Sequence, residues 1–207
     1  TVLRKCGLKV KLYINSMGCP ECRKKYNEAL KGYFADKLDK LCPTCRERYV
    51  KNPLRILDCK SEECKALCVD APKITDYLCD DCKAHFEKLQ VLLGDCGVDF
   101  EINPYIVRGL DYYTRTVFEF VTTSLGSQGT VCGGGRYDNL IAQLGGTPTP
   151  GVGFGMGIER LLMLMEAEGV EIPKPETVKL YIATMGELVV KYVYYFIHSI
   201  FSSVVRD

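Results

Sequence analysis

Hydrophobic and polar positions change rhythm twice along the chain. Val10 to Asn15 alternates apolar and polar residues, which predicts a short strand. From Gly18 to about Leu93 long apolar runs disappear. Charged residues and cysteines fill the segment, and helical spacing shows over Arg23–Leu41 and Asp80–Leu93. From Val98 onward strand-like runs resume. Val107 to Glu119 predicts a hairpin or strand pair, and Gly126-Ser127-Gln128-Gly129 reads as its turn. Gly153, Gly155 and Gly157 alternate along a strand-like run. Ile158, Leu161, Leu162 and Met165 then recur at i, i+3, i+4 and i+7, which predicts an amphipathic helix. A last helix, Glu187 to Val205, is apolar nearly all round. The pattern predicts an α+β chain, a sheet with helices, interrupted between two strands by a small, mostly helical, cysteine-rich segment with a small core.

Composition narrows the function. A chain of 207 residues, 47% of them hydrophobic, is long enough for one or two domains. The formal net charge is +1, so no global basic field advertises nucleic acid; such a partner would meet a local patch. Residues 19–60 supply one. They carry eleven Lys/Arg, among them Lys24, Lys25, Arg46 and Arg48, against six Asp/Glu, whereas residues 61–93 are net acidic. A basic half of this kind follows phosphates or is simply a solvated helical surface. No secretory signal is apparent, and the chain begins at Thr1, as an excised piece of a longer protein would. Lys191 and His198 argue against a membrane role for the last helix, so a cytoplasmic location is expected.

Eight of the twelve cysteines come in pairs: Cys19 with Cys22, Cys42 with Cys45, Cys59 with Cys64, and Cys79 with Cys82. A Cys-x-x-Cys turn aims two thiolates at one tetrahedral ion, so four pairs predict two four-cysteine zinc sites. Sequential pairing joins Cys19, Cys22, Cys42 and Cys45, leaving Cys59, Cys64, Cys79 and Cys82 for the second site; spacing equally allows interleaving. Reduced thiols without metal and redox chemistry are the competing readings. Cys6, Cys68, Cys96 and Cys132 lack partners at metal spacing, and His85 lies near enough to Cys82 to replace a cysteine ligand.

Three blocks carry candidate chemistry. Arg108 has a planar fork of donors suited to carboxylate or phosphate. In an uninterrupted strand Asp111, Tyr113 and Arg115 share one face and Tyr112 and Thr114 the other. The glycines at 133–135 let backbone approach a ligand. Gly153, Gly155 and Gly157 leave a strand face open to a planar base, and Arg160 sits on the first turn of the following helix, where anions are favoured. The spacing does not fit a dinucleotide-binding fingerprint. Each block alone is more often packing or a turn.

Together they resemble the histidyl-tRNA synthetases, a family of class II aminoacyl-tRNA synthetases. Arg108-Gly109-Leu110-Asp111-Tyr112-Tyr113 looks like the first histidine-specific signature, and Gly134-Gly135-Arg136-Tyr137-Asp138 like the second. Gly153-Phe154-Gly155-Met156-Gly157-Ile158-Glu159-Arg160 is similar to class II motif 3, and Val178 to Thr184 to the first strand of an anticodon-binding domain. The resemblance implies a division into a catalytic-core segment (1–17), an insertion domain (18–94), the C-terminal part of the core (95–172) and the start of the anticodon-binding domain (173–207). It implies ATP, Mg²⁺, L-histidine and the acceptor stem of tRNA(His) as ligands, and a homodimer; zinc in the insertion is expected from the cysteine spacing. Arg108 would meet the histidine carboxylate and the α-phosphate. Tyr112, Tyr113 and Tyr137 would form the histidine pocket, Arg160 would hold the γ-phosphate, and Gly153, Gly155 and Gly157 would pass beneath adenine and ribose. Class II motifs 1 and 2 are not found, so the chain is expected not to aminoacylate tRNA alone. Two other readings share some of these features: a synthetase-like regulatory subunit of ATP phosphoribosyltransferase, and a non-catalytic zinc-dependent RNA-binding module.

Overall fold

The computed structural model describes residues 2–107, 112–124, 129–171, 181–183, 185 and 187–204. Residues 1–171 form one compact unit, with the remainder a second. In the first, a short helix α1 (Val2–Lys5) leads into β1 (Lys11–Ser16), and the alternation of β1 is realised with Leu12 and Ile14 buried. The chain then turns helical: α2 (Pro20–Phe34), α3 (Pro43–Lys51), α4 (Glu62–Cys68) and α5 (Asp80–Asp95), with 3₁₀ turns at Ala35–Lys40, Pro53–Ile56 and Ile74–Tyr77. It returns through β2 (Glu101–Ile102) to β3 (Thr114–Val121), β4 (Thr130–Arg136), α6 (Leu140–Gln143), β5 (Val152–Met156) and α7 (Ile158–Ala167).

The five strands form one sheet in the order β2-β1-β3-β4-β5. β1 pairs parallel with β2 and antiparallel with β3; β3–β4 and β4–β5 are also antiparallel. The helical segment therefore leaves the sheet after β1 and comes back beside it. The turn expected at 126–129 falls largely outside the described residues, but its flanks close as a hairpin does, Thr122 N–H donating to the Gly129 carbonyl at 2.8 Å.

Local chemistry explains the helix starts. Pro20 and Pro43 occupy first-turn positions, where the missing N–H costs nothing, and a cysteine stands at each N-cap. Cys22, Tyr26, Leu30 and Phe34 lie four residues apart on α2 and are all buried. Tyr26, Leu30 and Phe34 gather Leu41, Cys45, Leu54, Ile56, Ala71 and Ile74 into one cluster. This core is larger than the absence of apolar runs suggests, because its residues are spaced at helical intervals instead of adjacent. Nor is it separate: Tyr113 and Val117 of the sheet belong to the same cluster. The expected helix Arg23–Leu41 ends early, and its last part is the 3₁₀ turn Ala35–Lys40.

The second unit contains α8 (Glu187–Val204), whose Val190, Tyr192, Tyr194, Tyr195 and Phe196 are exposed. Among the described residues no helix is long and apolar enough to cross a membrane.

Candidate amino-acid and nucleotide site with two thiol quartets

Directly opposed residues of an antiparallel pair share a face. The register places Asn15, Val117, Gly135 and Gly153 in one row, and Tyr13, Glu119, Gly133 and Gly155 in the next row of the same face. Three tyrosines roof this face. The Tyr112 and Tyr113 rings lie 4.8 Å apart; Tyr137 is 5.8 Å from the first and 6.5 Å from the second, in edge-on geometries. Glycine makes room for them. A Cβ on Gly135 would stand 2.8 Å from the Tyr113 ring, and one on Gly153 would stand 2.9 Å from the Tyr137 hydroxyl. A Cβ on Gly155 would meet nothing within 4 Å, so there the sheet face is open. Gly157 caps the N-terminus of α7, and Arg160 in that helix's first turn donates to the Thr130 carbonyl at 3.0 Å.

The strict alternation expected from Asp111 to Arg115 does not hold. Tyr112 and Tyr113 precede β3, and both contact Tyr137. The register slips between Thr114 and Val117, and Arg115 takes a left-handed backbone, φ 52°. A bulge resets the facing of everything before it. Arg108 and Asp111 lie outside the described residues. The segment leading to them is held from below: buried Asn15 donates through Nδ2 to the carbonyls of Pro104 (3.1 Å) and Ile106 (3.3 Å).

Two residues to which the sequence alone assigns no role at the site complete the surroundings. Arg23, in the first turns of α2, donates through Nη2 to the Tyr113 carbonyl at 2.7 Å. Thr114 accepts from the Asp138 N–H at 3.0 Å, and Asp138 pairs with Arg136 at 2.6 Å. No local pattern marks either; Arg23 reads in sequence as one more charge on a basic helix. Beside the tyrosines, a cavity of about 520 Å³ opens between α2 and the sheet, lined by Arg23, Lys24, Lys31, Tyr112, Thr114 and Gln143 among others.

The eight paired cysteines converge on two points. Cys19, Cys22, Cys79 and Cys82 form an outer quartet, and Cys42, Cys45, Cys59 and Cys64 an inner one; within each, all four sulfurs lie within 4.8 Å of one another. The pairing is thus nested, neither sequential nor interleaved. The reason is topological: α2 and α5 start side by side at the root of the helical segment, and the loop between them folds back on itself. No cysteine is in a disulfide. Cys19 and Cys22 sulfurs stand 3.4 Å apart, Cys19 and Cys79 4.0 Å, and Cys42 and Cys59 3.8 Å. A disulfide requires about 2.05 Å. The edge of a Zn–S₄ tetrahedron with 2.3 Å bonds is about 3.8 Å. Backbone N–H groups point at sulfur as well, Cys79 to Cys22 at 3.1 Å and Cys42 to Cys64 at 3.3 Å. Number, softness and spacing of donors therefore fit Zn²⁺ at both points.

Burial pushes the Cys22, Cys45 and Cys64 thiols up, and Cys82 up to about 12. Burial also acts to raise Cys19, but hydrogen bonds from Cys22, Glu21 and Cys79 outweigh it and bring it to about 7. Cys42 comes to about 7 chiefly through the Cys45 backbone N–H. His85 belongs to neither quartet. It is half-buried on α5, and burial, then the charges of Arg115 and Arg136, hold it below its ordinary range against the opposing pull of Asp138. Cys68 and Cys132 are buried and Cys96 is exposed.

A mostly antiparallel sheet whose last strand runs through a glycine junction into a helix, with an aromatic cluster on one face, is the frame of a class II aminoacyl-tRNA synthetase core. Residues 23–161 match the family profile described as Histidyl-tRNA synthetase, and the chain belongs to that family. The Histidine--tRNA ligase of Caldanaerobacter subterraneus subsp. tengcongensis is 57% identical over 188 residues, 90% of this chain and 45% of the relative. That of Thermoanaerobacter sp. (strain X514) is 60% identical with the same coverage. The crystal structure of apo S. aureus histidyl-tRNA synthetase superposes with a TM-score of 0.67 at 38% identity, covering 96% of this chain and 49% of that one. The chain thus spans somewhat under half the length of the curated relatives it matches.

Proposed function

We propose that this chain contributes the histidine pocket and part of the ATP site of a histidine–tRNA ligase. Such an enzyme joins the L-histidine carboxylate to the α-phosphate of ATP, releasing pyrophosphate, and then passes the histidyl group to the 3′ end of tRNA(His). The observation that carries this reading is the tyrosine roof over the glycine-floored sheet face. Tyr112, Tyr113 and Tyr137 gather three phenol-bearing rings beside the cavity that Tyr112 lines, and a phenol hydroxyl can hydrogen-bond an imidazole. A site that hydrogen-bonds a polar ring rejects analogues without it.

In this reading Arg108 bridges the histidine carboxylate and the α-phosphate and stabilises the charge that develops there. The open face at Gly155, with Gly153 and Gly157 on either side, receives adenine and ribose. Arg160 meets the γ-phosphate at the start of α7, where the helix field favours an anion. Mg²⁺, when bound, neutralises charge on the phosphates. Zinc in the two quartets stabilises residues 18–94, which act as an insertion domain between core segments 1–17 and 95–172; residues 173–207 begin an anticodon-binding domain. The basic residues Lys24, Lys25, Arg46 and Arg48 follow the phosphates of the tRNA acceptor stem. The working enzyme is a cytoplasmic homodimer.

The test is histidine-dependent exchange of pyrophosphate into ATP by the protein carrying this chain. Arg108→Ala is expected to lower the rate by about 10²–10³-fold, the usual cost of losing one preorganised charge donor. Exchange unaffected by Arg108→Ala, or independent of histidine, overturns the reading. Metal analysis is expected to find two zinc ions per chain, and less than one overturns the zinc assignment.

A further inference from the structure

The two quartets sit at different depths from the tyrosines. The outer one is made at the root of the helical segment, from the starts of its first and last long helices. Cys19 is the N-cap of α2 with Cys22 in its first turn; Cys79 is the N-cap of α5 with Cys82 in its first turn. An ion there ties together the helix that follows β1 and the helix that leads back to β2.

The residues that flank Cys19 and Cys22 are bonded to the roofed part of the sheet. Met17 N–H donates to the Arg115 carbonyl at 2.5 Å, and Arg115 N–H donates to the Gly18 carbonyl at 2.9 Å. The residue just before Cys19 is thus locked to the bulge that follows Tyr113 and Thr114. Gly18 has φ +62°, and a Cβ there would stand 2.5 Å from the Cys22 Cβ, so the junction is closed to any side chain. Arg23 follows Cys22 directly, and its guanidinium holds the Tyr113 carbonyl. A thiolate ligand, a charged donor and a signature tyrosine are linked within a few bonds. The inner quartet is built from α3, α4 and the turns around them. Its near neighbours Arg46 and Arg48 bond to carbonyls of Leu41, Asp39 and Arg55 in the same segment.

We propose that the outer quartet is a metal clamp on the amino-acid pocket: with zinc bound it fixes α2 so that Arg23 holds the Tyr113 backbone, whereas the inner quartet reaches the pocket only through the apolar core that Cys45 and Cys64 share with Tyr113 and Val117. Arg23 is a positioning residue, acting through Tyr113. The proposal rests on the zinc and histidine readings above and assigns the two ions different jobs.

Amide hydrogen exchange of the 207-residue chain tests it, with zinc content measured alongside. Cys79→Ser/Cys82→Ser is expected to lose one zinc and to speed exchange at residues 15–18 and 112–118 by about tenfold or more, the scale of one charge-assisted hydrogen bond. Cys59→Ser/Cys64→Ser is expected to lose the other zinc and to speed exchange in those peptides clearly less than the outer variant does, because Cys64 reaches Tyr113 only through the shared core. Arg23→Ala keeps both ions and so remains informative if the outer variant does not fold. It should speed exchange at 112–118 alone, and Arg23→Lys should restore part of the protection. In the protein carrying this chain, Arg23→Ala should raise the KM for histidine by about tenfold with little change in kcat. Zinc absent from the outer quartet of the unaltered chain overturns the metal reading and this proposal together. Zinc present, with residues 112–118 unchanged in both Arg23→Ala and the outer variant, overturns this proposal alone.

Discussion

Along β1, β3, β4 and β5, Ile14, Phe118, Gly134 and Phe154 point to one face of the sheet, and Asn15, Val117, Gly135 and Gly153 to the other. On the first face, Leu12 and Ile14 pack with Phe86 of α5, Phe118 and Phe120 in a continuous apolar layer. Side chains are large there because helix and sheet must fill the space between them. On the second face, β4 and β5 present only glycines in these two rows, Gly133, Gly135, Gly153 and Gly155, and the volume over Gly135 and Gly153 is taken by tyrosines arriving from outside the strands. The contrast teaches that the two faces hold their shape by different means. The closed face depends on burial, and the tyrosine face on what has been left out.

Four changes test that contrast. Ile14→Ala should have the largest effect on stability, about 2–5 kcal/mol by denaturant titration, because Ile14 is fully buried and its neighbours are held by β-pairing. If the faces are independent, histidine affinity at low denaturant should be unchanged. Gly153→Val should do the reverse. It costs about 1–3 kcal/mol of overpacking and displaces the Tyr137 hydroxyl, so the KM for histidine should rise by an order of magnitude or more. Gly155→Ala probes the same strand where nothing lies within 4 Å. Stability should hold within about 0.5 kcal/mol while the KM for ATP rises, since the added methyl enters the space assigned to the nucleotide. Unaltered ATP kinetics would remove Gly155 from the site.

His85→Asn should be smallest. The folded protein holds His85 below its ordinary 6.5, so the unfolded chain binds the proton first as pH falls. Stability is therefore greater above pH 6.5 and is lost as pH drops through the folded value. The variant should flatten that slope, shifting Tm at pH 5.5 relative to pH 7.5 by about 2 °C or less.

Periodicity predicted β1 and α7 to within a residue or two, because each obeys one period from end to end. Membership of the two thiol quartets was also readable, since a Cys-x-x-Cys turn is a local device. Their nesting was not, because it depends on α2 and α5 starting side by side, which no spacing encodes. The bulge at Arg115 escaped for a related reason: alternation assumes one residue opposite one, and three steps from Thr114 to Val117 face a single step from Arg136 to Gly135. Arg23 was invisible as a pocket residue because its partner is a backbone carbonyl, which leaves no trace in side-chain pattern.

β1 ends at Ser16, while its two partners begin at Glu101 and Thr114. A ribosome adding about 5–20 residues per second needs on the order of ten seconds to cross that gap. For that interval β1 exists without either neighbour, a strand with both rows of backbone groups unmet. The helical segment made in the meantime relies on short-range contacts and assembles quickly, whereas pairing across so long a separation is slow. Order of synthesis thus favours the helical segment as the first folded body of this chain, with β1 waiting at its edge for the rest of the sheet to emerge.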